Sequence, residues 1–373
     1  MTSLYIHIPF CVKKCIYCDF YSIGYEKALA QAYIKAISKQ IKLLDANFHT
    51  IYIGGGTPTS LDGPLLCELL KALRGISKKC NEFTIEANPE SLSQEKIKLL
   101  RGSGVNRISI GVQSLNTNKL NALGRVHSLG RAVESIYLAI KNGFSNINID
   151  LIFGVWDETA ANWRNELMAA VKLPVKHISC YSLTYERHTQ LFKKVKIKVI
   201  TPLSDSAAAR MYKITMKYLP KNNFLHYEIS NFAVRGFECK HNLNYWENNP
   251  YIGLGASAAS YMNGVREKNI SNVKEYVERI RKDKSVVSSA EKLSVKKSAL
   301  ETAAIKIRTK EGIDFNWFKK KTGFDFQILK EDALSLLTKE KLLKYNTKDN
   351  QRTGVRATEK GFLFCDYVCA RLL

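Results

Sequence analysis

Short apolar runs alternate with amphipathic stretches along the first 230 residues of the chain. The short runs have the length of buried strands, whereas the stretches between them repeat apolar side chains every three to four positions, as helices do. The pattern predicts strands at residues 4–8, 50–54, 82–86, 107–111, 146–153 and 177–183. It predicts helices between them at residues 28–44, 64–73, 93–101, 129–141 and 160–171.

Alternation of strand and helix indicates parallel strands joined by right-handed crossovers. Six such units are typical of a partial (β/α)6 barrel of the TIM type, in which the chemistry gathers at the carboxyl ends of the strands. A doubly wound open sheet has the same periodicity. The sequence pattern therefore predicts an α/β fold and leaves both architectures open.

The pattern changes after about residue 230. Residues 230–264 are rich in Asn, Tyr and Gly, which predicts a functional loop, and residues 273–282 predict a helix. Further on, short helices precede a basic turn at residues 352–358, an order typical of a winged-helix-like module. We therefore expect three parts: a barrel core at residues 1–230, an extension at 231–290, and a mostly helical, winged-helix-like domain at 291–373.

Charge is the most unusual feature of the composition. Lys and Arg number 57 against 34 Asp and Glu, so the formal net charge is +23. This excess favours anionic partners: nucleic acid, an acidic lipid surface or a carboxylated ligand. Its densest run, from Lys193 to Lys198, alternates lysines with apolar residues and predicts a solvated edge strand. No apolar run is long enough to span a membrane and no signal peptide is recognisable, so we expect a cytoplasmic protein.

Three of the nine cysteines, Cys11, Cys15 and Cys18, lie close together directly after the first predicted strand. A structural zinc site normally has four protein ligands, and a four-iron cluster normally has four cysteine ligands. Three thiolates on one loop would leave one iron of such a cluster open to an exogenous ligand. A zinc knuckle completed by His7 or by a distant cysteine is the alternative.

The three-cysteine loop, with Tyr17 before its last cysteine, resembles that of the radical S-adenosylmethionine (SAM) superfamily. Over nearly the whole chain, further motifs resemble the branch that contains oxygen-independent coproporphyrinogen III oxidase. They are YIHIPFC from Tyr5, GGGTP from Gly54, EANP from Glu86, NRISIGVQ from Asn106 and NID ending at Asp150.

The resemblance implies a [4Fe-4S] cluster on Cys11, Cys15 and Cys18, whose open iron is chelated by the amino and carboxylate groups of SAM. It also implies which residues contact SAM. They are Tyr5, Gly55, Gly56, Thr57, Glu86, Gln113, Arg125 and Asp150.

Two features separate the members of this branch. The oxidases carry a fourth cysteine where this chain has Phe20, and a longer segment before the cluster loop. Both differences favour the HemW-like heme-chaperone type. The stretch from His241 to Trp246 reads H-N-x-x-Y-W and resembles the heme-binding motif of that type. The resemblance implies that His241 is an axial ligand of heme, with Lys240 and Arg235 placed to pair with its propionates.

We therefore expect a heme chaperone that binds a [4Fe-4S] cluster, SAM and heme, and that delivers heme to acceptor proteins such as those of the respiratory chain. The alternative is coproporphyrinogen III oxidase, which decarboxylates two propionates through a 5′-deoxyadenosyl radical. Nucleic-acid binding is a third class, motivated by the charge and the winged-helix-like tail. No aromatic and basic recognition motif accompanies the charge, so we expect no specific nucleic acid. Contact with an anionic membrane stays open.

Overall fold

The structure is a computed structural model and describes residues 2–373. Its strands are β1 (Thr2–Ile8), β2 (Phe10–Cys11), β3 (Ile23–Gly24), β4 (Phe48–Gly55), β5 (Glu82–Ala87), β6 (Arg107–Gln113), β7 (Asn146–Phe153), β8 (His177–Ser182), β9 (Leu225–His226), β10 (Asn231–Ala233), β11 (Tyr251–Leu254), β12 (Ala259–Met262), β13 (Val265–Asn269), β14 (Val287–Lys292), β15 (Ile313–Asp314), β16 (Leu343–Lys348) and β17 (Gln351–Ala357).

The α-helices lie between and after these strands. They are α1 (Lys27–Lys42), α2 (Gly63–Ser77), α3 (Gln94–Gly102), α4 (Thr117–Ala122), α5 (Leu129–Lys141), α6 (Ala160–Ala170), α7 (Gln190–Lys196), α8 (Asp205–Lys221), α9 (Lys240–Trp246), α10 (Val273–Arg281), α11 (Val295–Lys306), α12 (Phe315–Thr322), α13 (Phe326–Leu329), α14 (Glu331–Lys339), α15 (Glu359–Leu363) and α16 (Cys365–Leu372). No helix among residues 2–373 combines the length and apolar character needed to cross a membrane.

Six parallel strands form the centre of a twelve-stranded sheet in the order β1-β4-β5-β6-β7-β8. Neighbours in space are thus also successive strands of the α/β repeat, and the order never reverses. A doubly wound sheet requires a reversal, whereas a barrel does not. The predicted partial (β/α)6 barrel is confirmed, and all six strands and five helices predicted for it are present with small shifts at their ends.

The two faces of this sheet differ sharply in chemistry. Successive strand residues point to opposite faces, and the outward series is apolar and buried beneath the helices, as with Ile6, Ile53 and Ile108. The inward series is polar. It includes Tyr5, Tyr52, Glu86, Arg107, Ser109, Asp150 and Ser179, which line a cavity. A TIM barrel normally fills this space with branched apolar side chains. The polar interior found here is instead suited to binding a ligand.

The basic run from Lys193 to Lys198 is not an edge strand, and that prediction is wrong. Its first part belongs to helix α7, whose first turn is capped by Thr189: the hydroxyl accepts a hydrogen bond from the Phe192 N–H at 3.1 Å. Leu191 and Val195 then lie one helical turn apart and pack into a small second core. The alternation of lysines with apolar residues has the period of a strand, but it extends over only a few positions.

The prediction that residues 230–264 form a loop rather than regular structure is also wrong. This segment contains β10, α9, β11 and β12, and β11 pairs in parallel with β1, so it extends the central sheet. Two of its glycines serve close packing: a side chain on Gly253 would collide with the Ala259 carbonyl, and Gly255 has a φ of +107° beside the Tyr33 hydroxyl. The predicted helix at residues 273–282 is confirmed as α10.

The C-terminal part combines helices α11 to α16 with a small sheet in the order β15-β17-β16. The predicted basic turn at residues 352–358 is wrong, because this stretch is mostly strand β17, in which Val355 is fully buried. The turn lies between β16 and β17, at Asp349 and Asn350, which both have positive φ. Apolar packing is continuous with the barrel, since the ring of His226 lies 4.9 Å from that of Phe362. The two boundaries between the three predicted parts stay a prediction.

A buried ion cluster joins the loops at the carboxyl ends of β6 and β7. The Lys119 ammonium lies 2.5 Å from Glu158 and 2.9 Å from Glu166, and all three side chains are almost fully buried. Glu166 also accepts hydrogen bonds from Ser114 and from the Leu115 N–H. One lysine therefore compensates two carboxylates that hold neighbouring loops together.

Replacing Lys119 with Met should lower the free energy of unfolding by about 3–5 kcal/mol, because it leaves two buried carboxylates without their cation. Removing Arg279, whose ion pair with Glu275 lies on the surface, should cost at most about 0.5 kcal/mol. Urea unfolding of both variants measures the difference. Equal stability of the two would contradict a structural role for the Lys119 cluster.

Candidate functional site

One cavity of about 570 Å³ opens at the carboxyl ends of the barrel strands. Its volume lies in the range of small-molecule sites. The structure brings all the predicted cluster and SAM residues together on its walls. They are Cys11, Cys15, Cys18, Tyr5, Gly55, Gly56, Thr57, Glu86, Gln113, Arg125 and Asp150.

The cysteine loop starts at β2 and covers one side of the cavity mouth. Its three cysteines are free, half-buried thiols, and the Cys18 N–H donates to the Cys15 carbonyl at 3.2 Å. Burial raises the pKa of Cys11, and it raises that of Cys18 to about 11. Among residues 2–373, no three His, Cys, Asp or Glu side chains are gathered as for a single metal ion.

The glycine motif after β4 fastens the cysteine loop to the sheet. The Gly56 N–H donates to the Ile8 carbonyl at 2.9 Å, and the Thr57 N–H donates to the Phe10 carbonyl at 2.8 Å. A Cβ on Gly56 would lie 2.7 Å from the Phe10 carbonyl oxygen and 3.0 Å from the Cys11 sulfur. Only glycine permits this approach, so the motif sets the position of the first cysteine.

Arg125 connects the cysteine loop to the opposite wall. Its guanidinium donates to the Cys15 sulfur at 3.1 Å, to Asn88 Oδ1 at 2.7 Å and to the Gly111 carbonyl at 2.8 Å. Its Nε is buried and has no hydrogen-bond partner. This orphaned donor suits a carboxylate, so the residues present fit an amino-acid ligand such as SAM beside the three thiols.

Two carboxylates face the cavity from neighbouring strands. Glu86 accepts hydrogen bonds from the Tyr52 hydroxyl at 2.8 Å and the Gly55 N–H at 3.0 Å. Burial, with a smaller contribution from Asp150, raises the pKa of Glu86 to about 7. Asp150 accepts from Ser109 and Asn148, and burial raises its pKa as well. Such carboxylates can accept from an ammonium group or from ribose hydroxyls.

The remaining predicted contacts, Tyr5 and Gln113, lie on β1 and at the end of β6. Gln113 has a positive φ of 68°, which turns the chain at the cavity wall. Tyr5 shares a hydrogen bond with His7 Nδ1 at 2.9 Å, and His7 Nε2 contacts the Tyr21 carbonyl at 2.9 Å. Both ring nitrogens of His7 are engaged, so it supports the cysteine loop and does not complete a zinc knuckle in this conformation.

The H-N-x-x-Y-W motif closes the opposite end of the barrel. Helix α9 begins against the Glu82 carboxylate, which accepts from the Lys240 and His241 N–H groups at 2.9 and 3.0 Å. The His241 ring contacts Thr50 Oγ1 at 2.7 Å and the Tyr245 hydroxyl at 3.0 Å. Burial lowers the pKa of His241 to about 3, so the ring is neutral but enclosed. Heme ligation by His241 stays a prediction, and it requires the hydrogen bond of the ligating nitrogen to open.

Several polar residues inside the barrel were missed by the sequence analysis. Arg107, Asn148, Ser179 and Tyr181 line the cavity, as does Asn242 of the H-N-x-x-Y-W motif. The signal for the strand residues was present as a period of two: in β6, and in β7 as far as Asp150, every second residue is polar or glycine while the others are apolar. That alternation indicates a polar barrel interior.

A three-cysteine loop above a polar partial barrel defines a radical SAM protein, and the family model described as the radical SAM superfamily matches residues 5–167. This superfamily implies a four-iron cluster and SAM. The chain is 38% identical to "Heme chaperone HemW" of Lactococcus lactis subsp. lactis (strain IL1403), over 96% of this chain and 94% of that protein. It is 33% identical to "Heme chaperone HemW" of Bacillus subtilis (strain 168), over 100% of this chain and 99% of that protein. The chain belongs to the HemW family.

Among solved structures, the chain is similar to coproporphyrinogen III oxidase (HemN) from Escherichia coli. The TM-score is 0.85 and the sequence identity 22%, with 100% of this chain and 89% of that chain covered. At this identity the likeness shows the fold, and it agrees with the partial barrel described above.

The raised pKa of Glu86 predicts that SAM binding releases a proton. Because burial places this pKa at about 7, the free protein holds part of a proton there, and a cationic ligand favours the carboxylate. SAM affinity should therefore rise with pH between about 6 and 8. Calorimetry in two buffers of different ionisation enthalpy measures the release. Glu86→Gln should abolish it, and an unchanged release in that variant would contradict the assignment.

Proposed function

We propose that this protein is a heme chaperone, which binds heme and delivers it to acceptor proteins while its barrel carries a [4Fe-4S] cluster and SAM. The observation that carries the proposal is similarity along the whole length to relatives named heme chaperones: 94% and 99% of the two relatives above are covered.

The cysteine loop supports this proposal against the oxidase. Phe20 stands where the oxidases carry a fourth cysteine, and its side chain is 71% exposed beside the cavity mouth. The loop therefore offers three thiolates and an apolar surface at its rim. An exposed phenylalanine suits contact with a flat apolar ligand or a partner protein.

For heme ligation we propose His241, with Nε2 as the ligating atom. A neutral imidazole is the form that binds iron, and burial keeps this ring neutral throughout the physiological range. The hydroxyl of Tyr245 occupies Nε2 in the closed conformation. Ligation therefore includes a local opening of α9 that separates His241 from Tyr245.

Heme titration of purified protein tests this proposal. His241→Ala should weaken heme binding about tenfold or more and change the Soret band, because an axial ligand is lost. Tyr245→Phe keeps the packing of the ring but frees Nε2, so it should bind heme faster than the parent protein. His49→Ala is the control, since His49 lies next to Thr50 on the same strand and contacts Asn81 at the surface.

Two results would overturn the proposal at different levels. Unchanged titrations in both His241→Ala and Tyr245→Phe would remove His241 as the ligand and leave heme binding in place. Absence of heme binding, together with anaerobic conversion of coproporphyrinogen to protoporphyrinogen, would replace the chaperone by the oxidase.

We further propose a cytoplasmic setting and acceptor proteins of the respiratory chain, reached at an anionic membrane surface. All nine cysteines are free thiols, which persist in a reducing compartment. Ile197 and Val199 are 69% and 67% exposed beside the lysines of α7, a combination that suits an acidic lipid surface. Flotation with anionic but not neutral vesicles is expected, and equal flotation with both would argue against it.

A further inference from the structure

A buried arginine at the inner end of the cavity has no partner. Arg107 is the first residue of β6 and is only 2% exposed, yet it lines the cavity. Among residues 2–373, its guanidinium makes no ion pair and no hydrogen bond, and its Nε is fully buried. Arginine stays protonated in proteins, and buried N–H donors that have no acceptor are costly. Such a group is retained where a ligand supplies the missing anion.

The acceptors around Arg107 are already engaged by other donors. Glu82 accepts from the Lys240 and His241 N–H groups and from the Cys239 thiol. Asp150 accepts from Ser109 and Asn148. These carboxylates balance the charge of Arg107 at a distance, but they do not bind it. Its hydrogen-bonding capacity is left for the cavity.

The histidine beside Arg107 cannot supply the missing acceptor either. His177 contacts Asn148 Oδ1 through Nδ1 and the Tyr227 hydroxyl through Nε2 at 2.8 Å. Burial and the nearby Arg107 charge hold the pKa of His177 well below its usual value. The ring is therefore neutral, with both nitrogens used.

Arg107 and Arg125 divide the cavity between them. Arg125 is attached to the cysteine loop through Cys15 and suits the carboxylate of SAM. Arg107 lies at the opposite end of the cavity, where β6 begins, near Asn242 of α9. One half-buried and one buried guanidinium at opposite ends of one cavity fit two separate anionic groups.

We propose that Arg107 binds a propionate carboxylate of heme at the inner end of the barrel cavity. This rests on the proposed heme function, and it names the residue that recognises the acidic edge of the cargo. A guanidinium matches a carboxylate in a two-pronged, charge-assisted hydrogen bond, which is strongest away from water. Lys240 and Arg235, which the sequence favoured for the propionates, are exposed and offer only screened attraction.

Heme and its dimethyl ester, which differ in the charge of the propionates, test the proposal. The parent protein should bind heme at least about tenfold more tightly than the ester. Arg107→Gln should lose this preference by weakening heme binding alone. Arg210→Gln is the control, because it removes an exposed arginine on α8 and should keep the preference.

SAM affinity is a second measurement on the same cavity, and it should respond to Arg125 and not to Arg107. Arg125→Gln should weaken SAM about tenfold or more, whereas Arg107→Gln should leave SAM affinity within about twofold. A purely structural Arg107 would instead lower thermal stability when replaced. Because its N–H groups bind no acceptor in the protein, we expect Arg107→Gln to unfold at the same or a higher temperature than the parent protein.

The failures of this proposal and of the heme function are distinguishable. If the parent protein binds neither heme nor the ester, the heme function fails and Arg107 loses its assigned ligand. If it binds heme but Arg107→Gln discriminates heme from the ester as well as the parent does, the function stands and the Arg107 assignment is overturned. Weakened SAM in Arg107→Gln, with unchanged heme preference, also overturns it.

Discussion

The constraint on which this structure depends is the cost of turning the polar faces of six strands inward. Each buried donor or acceptor without a partner costs about 1–3 kcal/mol, so a polar barrel interior must satisfy itself or be satisfied by ligands. Much of it satisfies itself: Glu86 is held by Tyr52 and Gly55, and Asn148 is held by His177. The apolar outer faces meanwhile supply the core beneath the helices. The polar interior is therefore available as a ligand-binding site.

The same cavity joins the two ends of the barrel. At the mouth, the close approach of Gly56 and the hydrogen bond from Arg125 set the positions of Cys11 and Cys15. At the floor, the Glu82 carboxylate holds the start of α9, a negative charge at a helix N-terminus. The cysteine loop and the H-N-x-x-Y-W motif are more than 200 residues apart in sequence, yet residues of both line one cavity.

Local sequence predicted much of the barrel, and its limits have physical causes. Strand and helix positions followed from periodicity. The motif residues met on one cavity because they lie on inward-facing positions of the strands or on the loops at their carboxyl ends. Periodicity could not separate a barrel from an open sheet, because that difference lies in strand order. Helix α7 was missed because a few alternating lysines outweighed the Thr189 cap. The enclosure of His241 depends on Thr50, and the isolation of Arg107 depends on what its neighbours bind, so neither is visible in local sequence.

The central claim is that Cys11, Cys15 and Cys18 hold a four-iron cluster with one iron open at the mouth of this polar cavity. Mössbauer spectroscopy of anaerobically reconstituted, iron-57-labelled protein tests it most directly, before and after SAM is added. We expect about four irons per chain, of which one changes its isomer shift when SAM binds and three do not. Zinc in place of iron, or a cluster whose irons all ignore SAM, would contradict it.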